Sequence, residues 1–353
     1  MDQLARRLGV PDAVTIGLGS MLGAGVFVVF APAAAAAGGA GLLVAVVLAG
    51  FIAFCNATSS ARLAARYPES GGTYVYGRER LNPFAGFLVG WGFVIGKTAS
   101  CAAMALTIGA YLWPGQARLV AVAAVVAVTA VNLRGVTKTA TATRVLVLVV
   151  LAVLTLVAVV GAFGVSIARF DQPGGSARGV LTAAGLLFFA FAGYARVATL
   201  GEEVRDPRRT IPRAVPLALG IVLAIYLTLA AVAVGVLGAD RLGASAAPLA
   251  DVVTAAGLPG LEWVVRAGAT VAVTGVLLSL LAGVGRTTLA MARRRDLPGG
   301  LAAVHPRHQV PHRAELAVAA VVILVVVLAD VRGRSASPAS RCWSTTPSPT
   351  PPR

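Results

Sequence analysis

Charge is what this chain has least of. Asp, Glu, Lys and Arg together make up 12% of its 353 residues, while 58% are hydrophobic. Soluble domains carry about 25% charged residues and about 45–50% apolar ones, so a water-soluble globule is excluded. Acidic groups are the scarcer sign, with 14 Asp and Glu against 30 Lys and Arg, a net charge of +16. In a soluble protein that excess would point to nucleic acid. Here the basic residues lie between apolar runs rather than along a helix face or in an aromatic-rich motif. Loops at a membrane surface explain them, and nucleic acid is not an expected partner.

Cysteine and histidine are also rare. Cys55, Cys101 and Cys342 show no metal or redox spacing. His305, His308 and His312 share one loop with several arginines, which reads as a solvated basic loop rather than a metal site. No nucleophile–base pair or metal cluster falls within the apolar runs. Neither an enzyme nor a cofactor is expected.

Long apolar runs dominate what remains. A membrane-spanning helix needs about 20 mostly apolar residues. Nine segments qualify or nearly so: Asp12–Ala36, Gly41–Ala65, Phe84–Leu112, Ala117–Leu133, Arg144–Ile167, Gly179–Leu200, Arg213–Gly238, Val264–Met291 and Ala314–Asp330. The connections alternate in charge. Arg6 and Arg7 precede the first segment, and arginines crowd the loops after the second, fourth, sixth and eighth. The other loops carry few. The positive-inside rule then predicts a cytoplasmic N-terminus over residues 1–11 and a multi-pass protein of the inner membrane. An N-glycosylation pattern at Asn56 and Thr58 lies within a span and is discounted.

Two of these segments are interrupted at their centres. The first reads Gly17-Leu-Gly-Ser-Met-Leu-Gly23-Ala-Gly25-Val-Phe27, and the second, five segments later, reads Phe188-Phe-Ala-Phe-Ala-Gly193-Tyr194. Inside lipid, backbone groups freed by a break need partners. Corresponding breaks in two halves of a chain point to a transporter's substrate site. Each break alone is also what helix packing uses, since small residues let spans approach closely. The Gly-x-Gly lacks the strand–turn–helix setting of a dinucleotide site. At Gly23, Ala24 and Gly25, unwound N–H groups beside a half-helix N-terminus suit a carboxylate. Phe189 and Phe191 are candidates for an apolar lid, with ordinary aromatic packing as the alternative, and Tyr194 for a hydrogen-bond donor.

Lys97 lies midway along its segment, too deep for snorkelling to either end. An ammonium at that depth normally faces a cavity or a partner, so Lys97 is either a cation substitute or proton carrier, or half of a structural ion pair. Arg196 is similarly deep, near the second break, and is expected to pair with Glu202 or Glu203. The run Glu202 to Pro212 reads as an ordered loop with a gating or structural role, its prolines bounding the next helix.

Taken together, four pieces resemble the amino acid–polyamine–organocation superfamily of permeases, nearest to bacterial transporters of the cationic amino acid transporter type. They are Leu22-Gly-Ala-Gly-Val-Phe27, Leu63-Ala-Ala-Arg-Tyr-Pro-Glu-Ser-Gly-Gly-Thr-Tyr-Val-Tyr76, the second break followed by Glu202-Glu-Val-Arg-Asp-Pro-Arg-Arg, and Leu289-Ala-Met-Ala-Arg-Arg-Arg-Asp-Leu-Pro298. The resemblance implies an all-α integral membrane protein with a LeuT-like five-plus-five inverted repeat. Residues 12–167 would form the first repeat and 168–330 an incomplete second one. It implies a secondary active amino acid transporter working by alternating access, with an amino acid as substrate and a proton as coupling ion. Met21, Gly23, Ala24 and Gly25 would face the substrate carboxylate. Phe189, Ala190 and Ala192 would face its ammonium and side chain. An all-backbone site suits a zwitterion, which ranks acidic substrates low and leaves neutral and cationic ones level.

Three features depart from the pattern. Gly193-Tyr194-Ala195 stands where relatives often have Gly-Phe-Asp. The fifth segment lacks the lysine that relatives often use in proton coupling, leaving Lys97 as the comparable group. Nine spans are present, with the tenth apparently lost. Residues 331–353 turn abruptly to Ser, Thr, Pro and Arg, and read as disordered or as an out-of-frame remainder of a further helix. The alternative to a working permease is therefore a non-transporting remnant of one.

Overall fold

A computed structural model describes residues 6–170, 175–245 and 247–335. The expected disordered or out-of-frame tail lies, over residues 336–353, outside the described residues. Apart from an isolated bridge between Leu8 and Val204, the described residues are helices and their connections.

The first expected span is three helices: α1 (Val10–Met21), α2 (Ala24–Val28) and α3 (Phe30–Ala37). They are followed by α4 (Gly39–Arg66), the short α5 (Thr73–Arg80), α6 (Pro83–Leu112), α7 (Ala117–Leu133) and α8 (Val136–Ala162). The sixth span is α9 (Ala177–Phe191), a single 3₁₀ turn over Ala192–Tyr194, and α10 (Ala195–Ala198). Then come α11 (Pro207–Gly243), α12 (Pro248–Ala255), α13 (Glu262–Arg293) and α14 (His312–Ser335). Among the described residues, six stretches are long and apolar enough to cross a membrane: α4, α8 and α11, most of α6, the α9–α10 stretch, and α13 with its leading turn. Helix α7 is apolar but shorter.

Local signals account for the boundaries. Asn82 caps α6, its side chain accepting the Ala85 N–H at 2.7 Å, with Pro83 in the first turn. Ser176 caps α9 in the same way through Gly179. Several expected boundaries are displaced. Helix α8 starts at Val136 rather than Arg144, directly after Gly135 at φ +107°, and its threonines return their hydroxyls to their own helix, as Thr141 does to the Thr137 carbonyl at 2.9 Å. Helix α11 starts at Pro207 rather than Arg213, and Pro212 lies inside it instead of bounding it. α14 continues to Ser335, past the expected end at Asp330.

The apolar side chains form two main cores. The larger joins α1, α3, α4, α8, α9 and α11; the second joins α6, α7 and α14. Helix α13 contributes to both, with Ala269 and Ala272 in the first and Leu277 and Leu281 in the second. Outside these cores, large apolar side chains face outward: Phe51 is 63% exposed, Leu148 61% and Leu324 55%. Such faces are unfavourable in water and favourable in lipid.

Candidate functional site

The two breaks meet. Helix α1 ends at Met21, Gly23 is extended (φ −115°, ψ −154°), and α2 restarts at Ala24. The first N–H groups of α2 therefore have no carbonyl in their own helix. Opposite, Gly193 packs against the end of α1 so closely that a Cβ there would stand 2.3 Å from the Ser20 carbonyl oxygen and 2.7 Å from the Met21 nitrogen. A Cβ at Gly25 would stand 3.1 Å from Ala190 Cβ. The glycines at the breaks thus allow backbone to touch backbone.

Tyr226 of α11 ties the two breaks together. Its hydroxyl donates to the Met21 carbonyl at 2.7 Å and lies 3.2 Å from the Ala190 carbonyl. The phenol is fully buried and its ring packs at a tilt against Phe191, with centroids 4.9 Å apart. The Met21 carbonyl, which also accepts the Gly23 N–H at 2.9 Å, thereby has a second donor inside the apolar core.

Beside the meeting point lies a cavity of about 20 Å³, lined among others by Ser20, Lys97, Ala192, Gly193, Arg196 and Ser279. That is room for about one water. Ser20, Ala192, Gly193 and Arg196 come from the broken helices, while Lys97 and Ser279 come from α6 and α13, so the cavity sits where the two cores face each other. Two buried polar groups on its wall, Ser279 Oγ and Arg196 Nε, have no hydrogen-bond partner.

The remaining expected residues divide clearly. Met21, Gly23 and Ala190 are buried at the breaks, and Gly25 is half-buried there. Tyr194 is half-buried against the larger core. The backbone of Ala24 opens α2. Phe189 is turned away from the cavity and 79% exposed, stacking edge-on against Phe188, so it is no lid in this arrangement; Phe191 is the inward ring. The pairing expected for Arg196 is corrected as well. Arg196 donates to Thr199 Oγ1 at 2.6 Å. Glu203 instead receives a two-pronged contact from Arg286 at 2.6 and 2.8 Å, and Glu202 pairs with Arg293 at 2.8 Å. Arg286 also reaches Glu315 of α14 at 3.2 Å, and all three side chains of that cluster are at most 3% exposed.

This cluster joins the loop after α10 to α13 and α14. Glu202 also accepts the Ser70 N–H at 2.9 Å. Tyr74 donates to Asp296 at 2.6 Å, which also pairs with Arg78 at 2.8 Å. Burial, and then the bond to Asp296, push the Tyr74 phenol well above its ordinary range. Gly71 and Gly72, at φ +122° and +52°, make the turn that brings this segment under α13. The arginine-rich loops are thus an ordered layer of ion pairs at one end of the bundle.

Broken helices packed at a cavity between two helical cores, with apolar faces outward, define a multi-pass membrane transporter. The family model described as amino acid permease matches residues 12–338, and the chain belongs to that family. It is 62% identical over 337 residues to an uncharacterized transporter of Mycobacterium tuberculosis, a match covering 94% of this chain and 76% of the relative. More distant relatives include a branched-chain amino acid permease of Bacillus subtilis, 28% identical over 88% of this chain and 72% of the relative. A vacuolar cationic amino acid transporter of Arabidopsis thaliana is 29% identical over 93% of this chain and 59% of that protein.

Proposed function

We propose that the chain is a secondary active transporter of amino acids in the inner membrane, proton-coupled and working by alternating access. The observation that carries this reading is the cavity at the meeting point of the two breaks, between two separate cores. At about 20 Å³ it holds a water but no amino acid. Admission of a substrate therefore requires the broken helices to part from α6 and α13. Parting the two cores towards one end or the other opens the cavity to one side at a time.

In this reading Gly23, Ala24, Gly25 and the end of α1 at Met21 face the substrate carboxylate through the first N–H groups of α2. Ala190, Ala192 and the 3₁₀ turn to Tyr194 face its ammonium. Residues 12–167 and 168–330 act as the two inverted repeats, and the arginine-rich end is cytoplasmic with the N-terminus. Lys97 carries the coupling proton. Lys97 lines the cavity, where no described carboxylate pairs with it, so its charge can change with the occupancy of the site. Glu202, Glu203 and their arginine partners hold the cytoplasmic end closed.

Uptake of a labelled amino acid mixture into proteoliposomes, with and without an inward proton gradient, tests the reading. Gradient-stimulated uptake that Lys97→Ala abolishes is the expected result. Gradient-independent uptake would overturn proton coupling, and no accumulation of any amino acid would overturn the transporter itself.

A further inference from the structure

The cavity wall has a charge of one sign. Lys97 of α6 and Arg196 of α10 line it, together with the hydroxyls of Ser20 and Ser279 and otherwise apolar or small residues. No Asp or Glu lines it. Of the nearest acids, Glu203 is held by both prongs of Arg286 and Glu315 by the same guanidinium, so neither is directed at Lys97. Arg196, Arg286, Glu203 and Glu315 balance among themselves. The ammonium of Lys97 is the excess charge.

Two further groups await a ligand of acceptor character. Arg196 is 5% exposed, bonds Thr199 through one terminal nitrogen and leaves Nε unpartnered. Ser279 is 2% exposed and its Oγ, which can donate, is unpartnered. Ser20 is already committed to the Ile16 carbonyl at 2.7 Å. Gly283 leaves the space into which the Arg196 side chain extends, since a Cβ there would stand 3.2 Å from its Cδ.

We infer that the transported amino acids are acidic ones, whose side-chain carboxylate enters this cavity, neutralises Lys97 and accepts from Ser279 Oγ and Arg196 Nε. The inference rests on the transporter reading above and narrows it. An unpaired ammonium between spans is unfavourable, and a substrate bearing one extra negative charge relieves it. A cationic amino acid would meet two positive groups and no acid, a repulsive contact that selects against it. Low ranking of acidic substrates followed from an all-backbone site; Lys97, Arg196 and Ser279 remove that premise.

The test uses the purified full chain in proteoliposomes with labelled L-glutamate, L-aspartate, L-leucine and L-arginine under an inward proton gradient. Glutamate or aspartate uptake should exceed that of leucine and arginine by about thirtyfold or more, the scale of one buried charge contact. Lys97→Gln, of similar length and neutral, should lose thermal stabilisation by L-glutamate, a binding readout taken without a proton gradient and so separate from the coupling role of Lys97. Thermal stabilisation of the wild-type protein by L-glutamate but not L-arginine provides a reading independent of any variant. Uptake of leucine or arginine equal to or above that of the acids, or undiminished stabilisation of Lys97→Gln by L-glutamate, overturns the inference and leaves the transporter standing. Absence of uptake for all four overturns the inference, and absence of accumulation from a full amino acid mixture as well overturns the transporter.

Discussion

Tyr226 donates its hydroxyl to the Met21 carbonyl at 2.7 Å, across 205 positions of sequence, while the Ala190 carbonyl stands 3.2 Å away on the other side. One buried phenol thus meets the backbone of both broken helices. Its position links the two interrupted helices inside an apolar core through a donor on a third helix, α11.

Tyr226→Phe keeps the ring against Phe191 and Phe30 but removes that donor. The stability of the detergent-solubilised protein should fall by about 0.5–1.5 kcal/mol, the net worth of one buried hydrogen bond, because the Met21 carbonyl keeps the Gly23 N–H at 2.9 Å. Substrate uptake should fall with it, since the spacing of the breaks is no longer fixed. A variant with unchanged stability and uptake would mean the hydroxyl is incidental.

Gly193→Ala places a methyl where the Ser20 carbonyl and Met21 nitrogen already stand, at 2.3 and 2.7 Å. Both are backbone atoms, so the breaks must separate. Transport should be lost or strongly reduced. Gly185→Ala, in the same segment and with nothing within 4 Å of its Cβ, is the control and should transport like the wild type.

Arg286 holds Glu203 and Glu315 together, and its removal strands two buried carboxylates. Arg286→Met should destabilise the protein by about 3–5 kcal/mol. Adding Glu203→Gln to it should recover part of that loss, read as a rise in the thermal unfolding temperature. No recovery would mean that the charges do not act as a unit.

His312 sits at the start of α14, its ring 5.5 Å from that of His305. Burial, then the neighbouring charges of His305 and Arg313, lower its pKa. A histidine whose pKa is lower folded than unfolded contributes stability that is present above about pH 6.5 and lost as pH falls through its folded value. The thermal unfolding temperature should therefore drop on acidification below about pH 6.5, and His312→Gln should flatten that drop.

The helices are legible in the sequence because long apolar runs and loop arginines leave few alternatives. The breaks were visible for the same reason, as glycines where a span should be continuous. Boundaries at Val136 and Pro207 were missed because threonines that bond their own helix, and a proline near a first turn, look like loop. Tyr226 was missed because a lone phenol in an apolar run reads as packing; the demand that its hydroxyl find a partner was the available signal. Arg286 was equally legible, being an arginine inside the segment Val264–Met291. Phe189 misled because a run of aromatics at adjacent positions covers several faces of a helix, and only packing decides that Phe191 is the inward one. Partners separated by tens of residues, such as Arg286 with Glu203, are set by the fold and not by spacing.

The central claim is that the two breaks form one substrate site at the cavity between the cores. Substrate protection of single cysteines tests it most directly. In a background with the native cysteines replaced, Ala192→Cys at the cavity and Phe189→Cys on the outer face are labelled with a thiol reagent in proteoliposomes, with and without saturating amino acid. The account predicts that the transported amino acid slows labelling at position 192 and leaves position 189 unchanged. Equal rates at position 192 with and without a substrate that the same protein demonstrably transports would contradict it.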